Sequence, residues 1–139
     1  MRMLVCYVGR PKDRALNEAA AEYSRRIARF CKFEQRELRS AEGAREKFPR
    51  SYLVGLDPAG KEIDSAALAR WLETRLAGGP RDLVFLVGGA DGLTPAARGS
   101  ADLLLSLSKL TLPHELARVL LLEQLYRALA TLRGHPYAR

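Results

Sequence analysis

The sequence predicts an α/β fold, a mainly parallel sheet with helices on both faces. Three observations carry that prediction. Strand-like and helix-like segments alternate along the chain, the order that builds parallel sheets through helical crossovers. Leu83–Val87 is an uninterrupted apolar run, as a strand covered on both faces requires. Two strand-like runs end in turn chemistry, "DPAGK" after Leu56 and "GGADGL" after Val87, which places both turns at the same edge of the sheet.

The elements follow in order. Met3–Val8 is an apolar run closed by Gly9 and reads as the first strand. Pro11 and Asp13 sit where a helix start wants them, and a helical pattern runs from Arg14 to Phe30. Phe33, Gln35, Glu37 and Arg39 then alternate with Glu34, Arg36 and Leu38, a polar pattern that suits an edge or a partly solvated strand. "SAEGAREKFP" reads as a short connection to a third strand, Tyr52–Leu56. Asp64 or Ser65 caps a helix to about Ala77, which "GGP" stops. After Leu83–Val87, Thr94 and Pro95 form an N-cap and first-turn pair opening a short helix. Leu103–Leu107 is the last strand. "SLSKLTL" alternates as an extended segment or loop would, Pro113 intervenes, and a helix runs from Glu115 to Arg133.

At 139 residues and 47% hydrophobic content the chain fits one globular domain spanning 1–139. No stretch approaches a membrane span and "MRMLVCYVG" has no cleavage-type flank, so a cytoplasmic protein is expected. Cys6 and Cys31 lie in or beside strands without C-x-x-C spacing, which points to reduced core thiols rather than zinc ligands. The net charge of +7 is unevenly spread. Residues 1–50 hold 13 Lys/Arg against 7 Asp/Glu, a balance of +6, whereas residues 51–100 hold 5 against 6, a balance of −1. The N-terminal excess is mostly arginine (Arg25, Arg26, Arg29, Arg36, Arg39), whose forked, permanently charged donors suit phosphate.

The chemistry-bearing features are sparse. "VFLVGGADGL" offers glycines after a buried strand, but Gly88, Gly89 and Gly92 fail the G-x-G-x-x-G spacing, and no G-K-[ST] follows. "LVGLDPAGK" is a second turn that could line a pocket with the first. On the last helix, Ala117, Leu121, Leu125, Ala128, Leu132 and their neighbours form a broad apolar arc, and Arg118 falls in its middle. A guanidinium there needs an ion-pair partner, or faces a subunit seam or a substrate pocket. His114 and His135 read as capping or tail residues. Nothing marks a nucleophile or a metal site.

"FLVGGADGL", "SLSKLTLPHELARVLLLEQLYRA" and the terminal "HPYAR" together resemble the pseudouridine N3-methyltransferases of 23S ribosomal RNA, small knotted enzymes of the SPOUT superfamily. The resemblance runs nearly the whole chain and is most specific from Leu107 to Ala128. It implies an α/β sheet whose C-terminal part forms a trefoil knot, with S-adenosyl-L-methionine held by the knot loops. Matched residue by residue, Leu56, Gly88 and the loop Leu107, Ser108, Lys109, Leu110, Thr111 and Leu112 are the implied cofactor contacts. The family's homodimers place the partner's C-terminal tail at the substrate site, a role that falls to Tyr137, with Arg118 near the dimer or substrate side. The implied partners are 23S ribosomal RNA and the large subunit or whole ribosome.

Two departures stand out. The tail ends Tyr137-Ala138-Arg139 where relatives carry Tyr-His before the last basic residue, and the link between strands two and three is shorter. The implied reaction is attack of the pseudouridine N3 on the cofactor's sulfonium methyl. The N3 proton must then leave, and no carboxylate or histidine in the sequence is singled out as the base. A transfer-RNA enzyme sharing the knot, or a non-catalytic RNA-binding module, would show much the same pattern.

Overall fold

The computed structural model describes residues 2–79 and 81–138. Pro80 of the expected helix stop and the terminal Arg139 lie outside the described residues. In chain order the elements are β1 (Met3–Val8), α1 (Arg14–Ile27), β2 (Phe33–Leu38), α2 (Gly43–Lys47), β3 (Tyr52–Glu62), α3 (Ser65–Ala77), β4 (Leu83–Val87), α4 (Pro95–Ser100), β5 (Leu103–Ser106) and α5 (His114–Leu132). A 3-10 turn, Pro136–Ala138, closes the chain.

The five strands form one sheet in the order β2-β1-β4-β3-β5, and every pairing is parallel. β4 lies at the centre and all of its side chains are buried, as its unbroken apolar run requires. β2 is an edge, which explains why charged residues are tolerated along it. The alternation of side chains along β1 and β4 divides the interior in two. Met3, Val5, Phe85 and Val87 face α1, α3 and α5, while Leu4, Cys6, Val84 and Leu86 face α2 and α4. Helices therefore cover both faces. Burial also pushes the Cys6 thiol up to about 11, against the nearby Arg36 charge that lowers it, so the sulfur stays protonated and behaves as a core hydrophobe.

Two elements depart from the sequence reading. The segment expected as a plain connection contains α2, a single short helix whose Ala44 is buried against the second face. Its Glu42 cap makes no side-chain bond to the helix. Arg45 instead anchors it to Ser100 O at 2.8 Å and to the Asp102 carboxylate at 2.9 Å. The second departure is β3, which resumes after its turn. Leu56 and Lys61 both pair with Leu105, so residues 57–60 loop out and the strand rejoins β5 beyond them. A side chain at Gly60 would collide with the Leu104 backbone at 2.7 Å, so only glycine lets this return pass so close to β5.

Candidate active site

The β3 excursion after Leu56 and the ends of β4 and β5 open onto a cleft of about 500 Å3, a size typical of small-ligand sites. Three segments wall it: the β3 excursion at Asp57, Pro58 and Ala59, the turn from Gly88 to Leu93, and the loop after β5. The Gly88 turn is tight. A Cβ at Gly88 would lie 2.6 Å from the Gly92 carbonyl carbon, and Gly92 itself has φ +76. Its N–H donates to Gly89 O at 2.9 Å, which folds the turn back on itself. Backbone rather than side chain therefore forms this wall.

Hydroxyls shape the loop after β5. Buried Ser106 donates its Oγ–H to Ser108 O at 3.0 Å, and the Ser108 Oγ accepts from Leu110 N at 2.9 Å. These local bonds hold the backbone in an arc that neither helix nor sheet would give. Leu107, Ser108, Leu110, Thr111 and Leu112 border the cleft, as do Leu56 and Gly88. Leu110 sits at the mouth and is 75% exposed. The Lys109 side chain is not in the wall; it turns outward and its Nζ lies 3.4 Å from Glu62.

Charge at the cleft is concentrated in one pair. Asp57, largely buried, places Oδ2 3.3 Å from Arg98 Nε, while its Oδ1 accepts from Ala59 N at 2.8 Å. His114 and Asp91 also line the wall. The turn chemistry around Asp57 was legible, but Arg98 as its partner was not, because nothing in sequence spacing links β3 to α4.

A second cluster supports the cleft from the α1 side. The Glu115 carboxylate accepts the N–H groups of Lys12 and Asp13 at 2.9 and 3.0 Å, and these bonds hold it below the usual carboxylate range. Asp13 in turn caps α1 by accepting from Leu16 N at 3.0 Å. One turn along α5, Arg118 is only 3% exposed. It makes no ion pair among the described residues, contrary to the simplest expectation for a charge on an apolar arc. Its guanidinium donates to Asn17 Oδ1 at 2.8 Å and Gln35 Oε1 at 3.1 Å and stacks over Tyr7. Amide oxygens and a π face satisfy it instead.

Tyr137 lies elsewhere. Its hydroxyl donates to Glu123 Oε2 at 2.8 Å and sits 3.3 Å from the Tyr23 hydroxyl, and its ring centroid is 4.5 Å from that of Tyr126. Glu123 is roughly 13 Å along α5 from His114 at 1.5 Å per residue, so the chain does not bring Tyr137 to its own cleft. Burial, followed by the bonds to Tyr23 and Glu123, raises this phenol's pKa. The arginine-rich N-terminal region is also less free than its composition suggests. Of the five arginines named above, Arg25 and Arg26 pair with Glu22 and Arg36 with Glu34, which leaves Arg29 and Arg39 without an ion pair among the described residues. Among those residues, no group of three or more His, Cys, Asp or Glu side chains is placed to hold a metal, and no helix is long and apolar enough to cross a membrane.

Comparison with known proteins bears on this cleft. The family described as "Predicted SPOUT methyltransferase" matches residues 1–138. The ribosomal RNA large subunit methyltransferase H of Solibacter usitatus is 48% identical over 140 residues, covering 100% of both chains. The protein of the same name from Gloeobacter violaceus is 42% identical over 151 residues, covering 99% of this chain and 98% of its own. Among solved structures, a methylase family protein from Haemophilus influenzae aligns with TM-score 0.58 at 11% identity, over 99% of this chain and 70% of that one. A Legionella pneumophila protein, described as a methyltransferase in complex with bound SAM, aligns with TM-score 0.53 at 12% identity, over 92% of this chain and 66% of its own. At such identities these two show the shared fold.

Proposed function

The chain belongs to the SPOUT methyltransferase family, and we propose that it uses S-adenosyl-L-methionine to methylate N3 of a pseudouridine in 23S ribosomal RNA of the large subunit. The observation that carries this reading is the meeting of three loops in one cleft walled by backbone and leucines. The full-length match to relatives named as ribosomal RNA large subunit methyltransferases supports it.

The residues present fit the cofactor. Gly88 lets its turn fold tightly onto Gly92, where a Cβ would collide, so that backbone faces the cleft; Leu56, Leu107 and Leu112 supply apolar walls, and the backbone groups of 107–112 supply donors and acceptors. When bound, the cofactor would supply a sulfonium methyl: the N3–C bond would form as the C–S bond breaks with its electron pair staying on sulfur, and the N3 proton would pass to solvent. The protein's share is orientation and exclusion of water, which alone account for large rate gains in group transfer. Leu110 at the mouth and the Asp57–Arg98 pair at the rim limit solvent entry. The loop 107–112, followed by α5, forms the threaded part of a trefoil knot in this reading.

A homodimer reconciles the position of Tyr137 with a substrate role, since the tail of one protomer serves the cleft of its partner. Arg118 acts by holding α5 against α1 and β2, so that the Glu115 and His114 end of the helix is set against the cleft. The enzyme works in the cytoplasm on the assembled large subunit or the whole ribosome.

The test is methyl transfer from labelled S-adenosylmethionine to ribosomes lacking the modification, alongside free ribosomal RNA and transfer RNA. Label on a 23S pseudouridine in ribosomes is expected. Label on transfer RNA alone would replace the substrate, and absence of both transfer and cofactor binding would overturn the enzyme reading.

A further inference from the structure

We propose that Tyr52, Arg75 and Arg81 build a phosphate-binding recess at the opposite edge of the sheet from the cleft, where the protein takes a second grip on the RNA backbone. The choice of RNA as occupant rests on the function proposed above; the phosphate chemistry does not.

The recess has a volume of about 200 Å3 and is lined by Tyr52, Thr74, Arg75, Gly78, Arg81 and Leu83. Tyr52 and Leu83 are register partners at the beginnings of β3 and β4, whereas the cleft opens at the β3 excursion after Leu56 and beyond the end of β4. Four residues of strand from Tyr52 to Leu56 separate the two sites by roughly 13 Å.

Arg75 is the informative residue. Its guanidinium carbon lies 4.0 Å from the Tyr52 ring centroid and 5.9 Å from that of Trp71. That stacking orients the guanidinium plane but uses none of its N–H groups. Among the described residues Arg75 makes no side-chain hydrogen bond and no ion pair, and its Nε is buried without a partner. That Nε is enclosed, and the terminal nitrogens, which also make no bond among the described residues, are the donors a ligand in the recess can meet. Arg81 lies 5.8 Å from the same tyrosine ring. Its Nε donates to Arg50 O at 3.0 Å and one terminal nitrogen to Ser51 O at 2.7 Å, which fixes the guanidinium and leaves Nη1 without a bond among the described residues. The nearest carboxylate, Asp102, is 3.8 Å from Arg81 but is committed to Arg45 and to the Leu53 N–H.

The site is thus two oriented guanidinium groups around one aromatic ring, with no acidic residue in the lining. The negative end of the α3 dipole also faces this region, but about half a charge does not offset two full cations. Nor does the pair follow from a basic segment, since residues 51–100 carry a net −1. An oxyanion with several acceptors is the complementary ligand, and a phosphodiester presents one at each step of an RNA strand. Tyr52 is covered by arginine and is unavailable to stack a base, so the recess reads backbone rather than sequence.

Trp71 is the single tryptophan and reports on the site by its fluorescence. Titration of the full-length protein with inorganic phosphate, at constant ionic strength made up with chloride, is expected to give a saturable change. Arg75→Gln should weaken it about tenfold or more, with Arg75→Lys in between. No saturable response, or one unchanged in Arg75→Gln, overturns the site. Should Arg75→Gln fail to fold by circular dichroism, Arg75→Lys decides, because removing the fork while keeping the charge must still weaken phosphate several-fold.

The second arm follows binding of a fluorescein-labelled single-stranded RNA oligonucleotide against salt. Loss of one phosphate contact in Arg75→Gln should reduce the log–log slope by about 0.7. A slope that does not change, with phosphate binding intact, overturns the RNA occupant in favour of a free phosphate. S-adenosylhomocysteine binding, measured in parallel, reports separately on the methyltransferase reading, whose failure would leave the phosphate arm standing.

Discussion

The Arg118 guanidinium lies over the ring of Tyr7, its central carbon 4.0 Å from the ring centroid. This contact joins α5 to β1 beside the cleft and lets a charge sit on the apolar face of the longest helix. The amide oxygens of Asn17 and Gln35 complete its shell, and Gln35 passes the connection on by donating to Ala20 O at 3.3 Å. One side chain thereby ties α5 to α1, β1 and β2.

Replacing Arg118 with alanine takes the donor away from the amide oxygens of exposed Asn17 and half-buried Gln35 and opens space over Tyr7. The expected loss is about 2–4 kcal/mol of folding stability, read from the urea midpoint. Methyl transfer or dimerisation should fall with it. Arg118→Lys, which keeps the charge but cannot serve both amides in one plane, should lie between. A variant with the parental midpoint, dimer and turnover would remove Arg118 from any role at the site.

Glu115 gives the fold a specific acid sensitivity. Its pKa is lowered in the folded chain by the Asp13 and Lys12 N–H groups, so its contribution is present above the unfolded carboxylate value and is lost as pH falls through the lower folded value. Thermal unfolding followed from pH 7 to pH 3 should show Glu115→Gln melting below the parent at neutral pH, with the two converging at the acid end. Parallel curves across the whole range would show that the carboxylate charge contributes nothing to holding α1 against α5.

Gly88→Ala probes the tight turn from Gly88 to Gly92 directly. The added methyl would sit 2.6 Å from the Gly92 carbonyl carbon, and backbone cannot yield as a flexible side chain would. Overpacking of this kind costs about 1–3 kcal/mol. The displaced turn should weaken S-adenosylhomocysteine by about tenfold or more in calorimetry. Undiminished affinity would show that this turn does not contact the cofactor.

Much of the architecture was legible because it rests on local patterns. The unbroken run Leu83–Val87 suited a strand buried on both faces, the polar alternation of Phe33–Leu38 suited an edge, and Asp13, Asp64 and Thr94 each cap the helix that follows. The loop from Leu107 to Leu112 was recognisable by likeness to a family, and the structure sets its side chains, apart from Lys109, around the cleft. The short helix Gly43–Lys47 was not legible, since its stability comes from Ala44 on the sheet and Arg45 on Ser100 and Asp102 rather than from its own five residues.

The sequence by itself determined the order and type of the main elements, the parallel sheet and the family, because periodicity, caps and turn residues act over a few positions at a time. Tertiary structure alone decided which distant side chains meet. It gave Arg118 two amides and a tyrosine in place of a carboxylate, set Arg98 beside Asp57, and held the Tyr137 hydroxyl on Glu123, away from the cleft of its own chain. It also brought Arg75 and Arg81 to one ring. These pairings depend on how strands align and helices cross, and no spacing along the chain encodes the partner of a charge that the fold brings in from elsewhere.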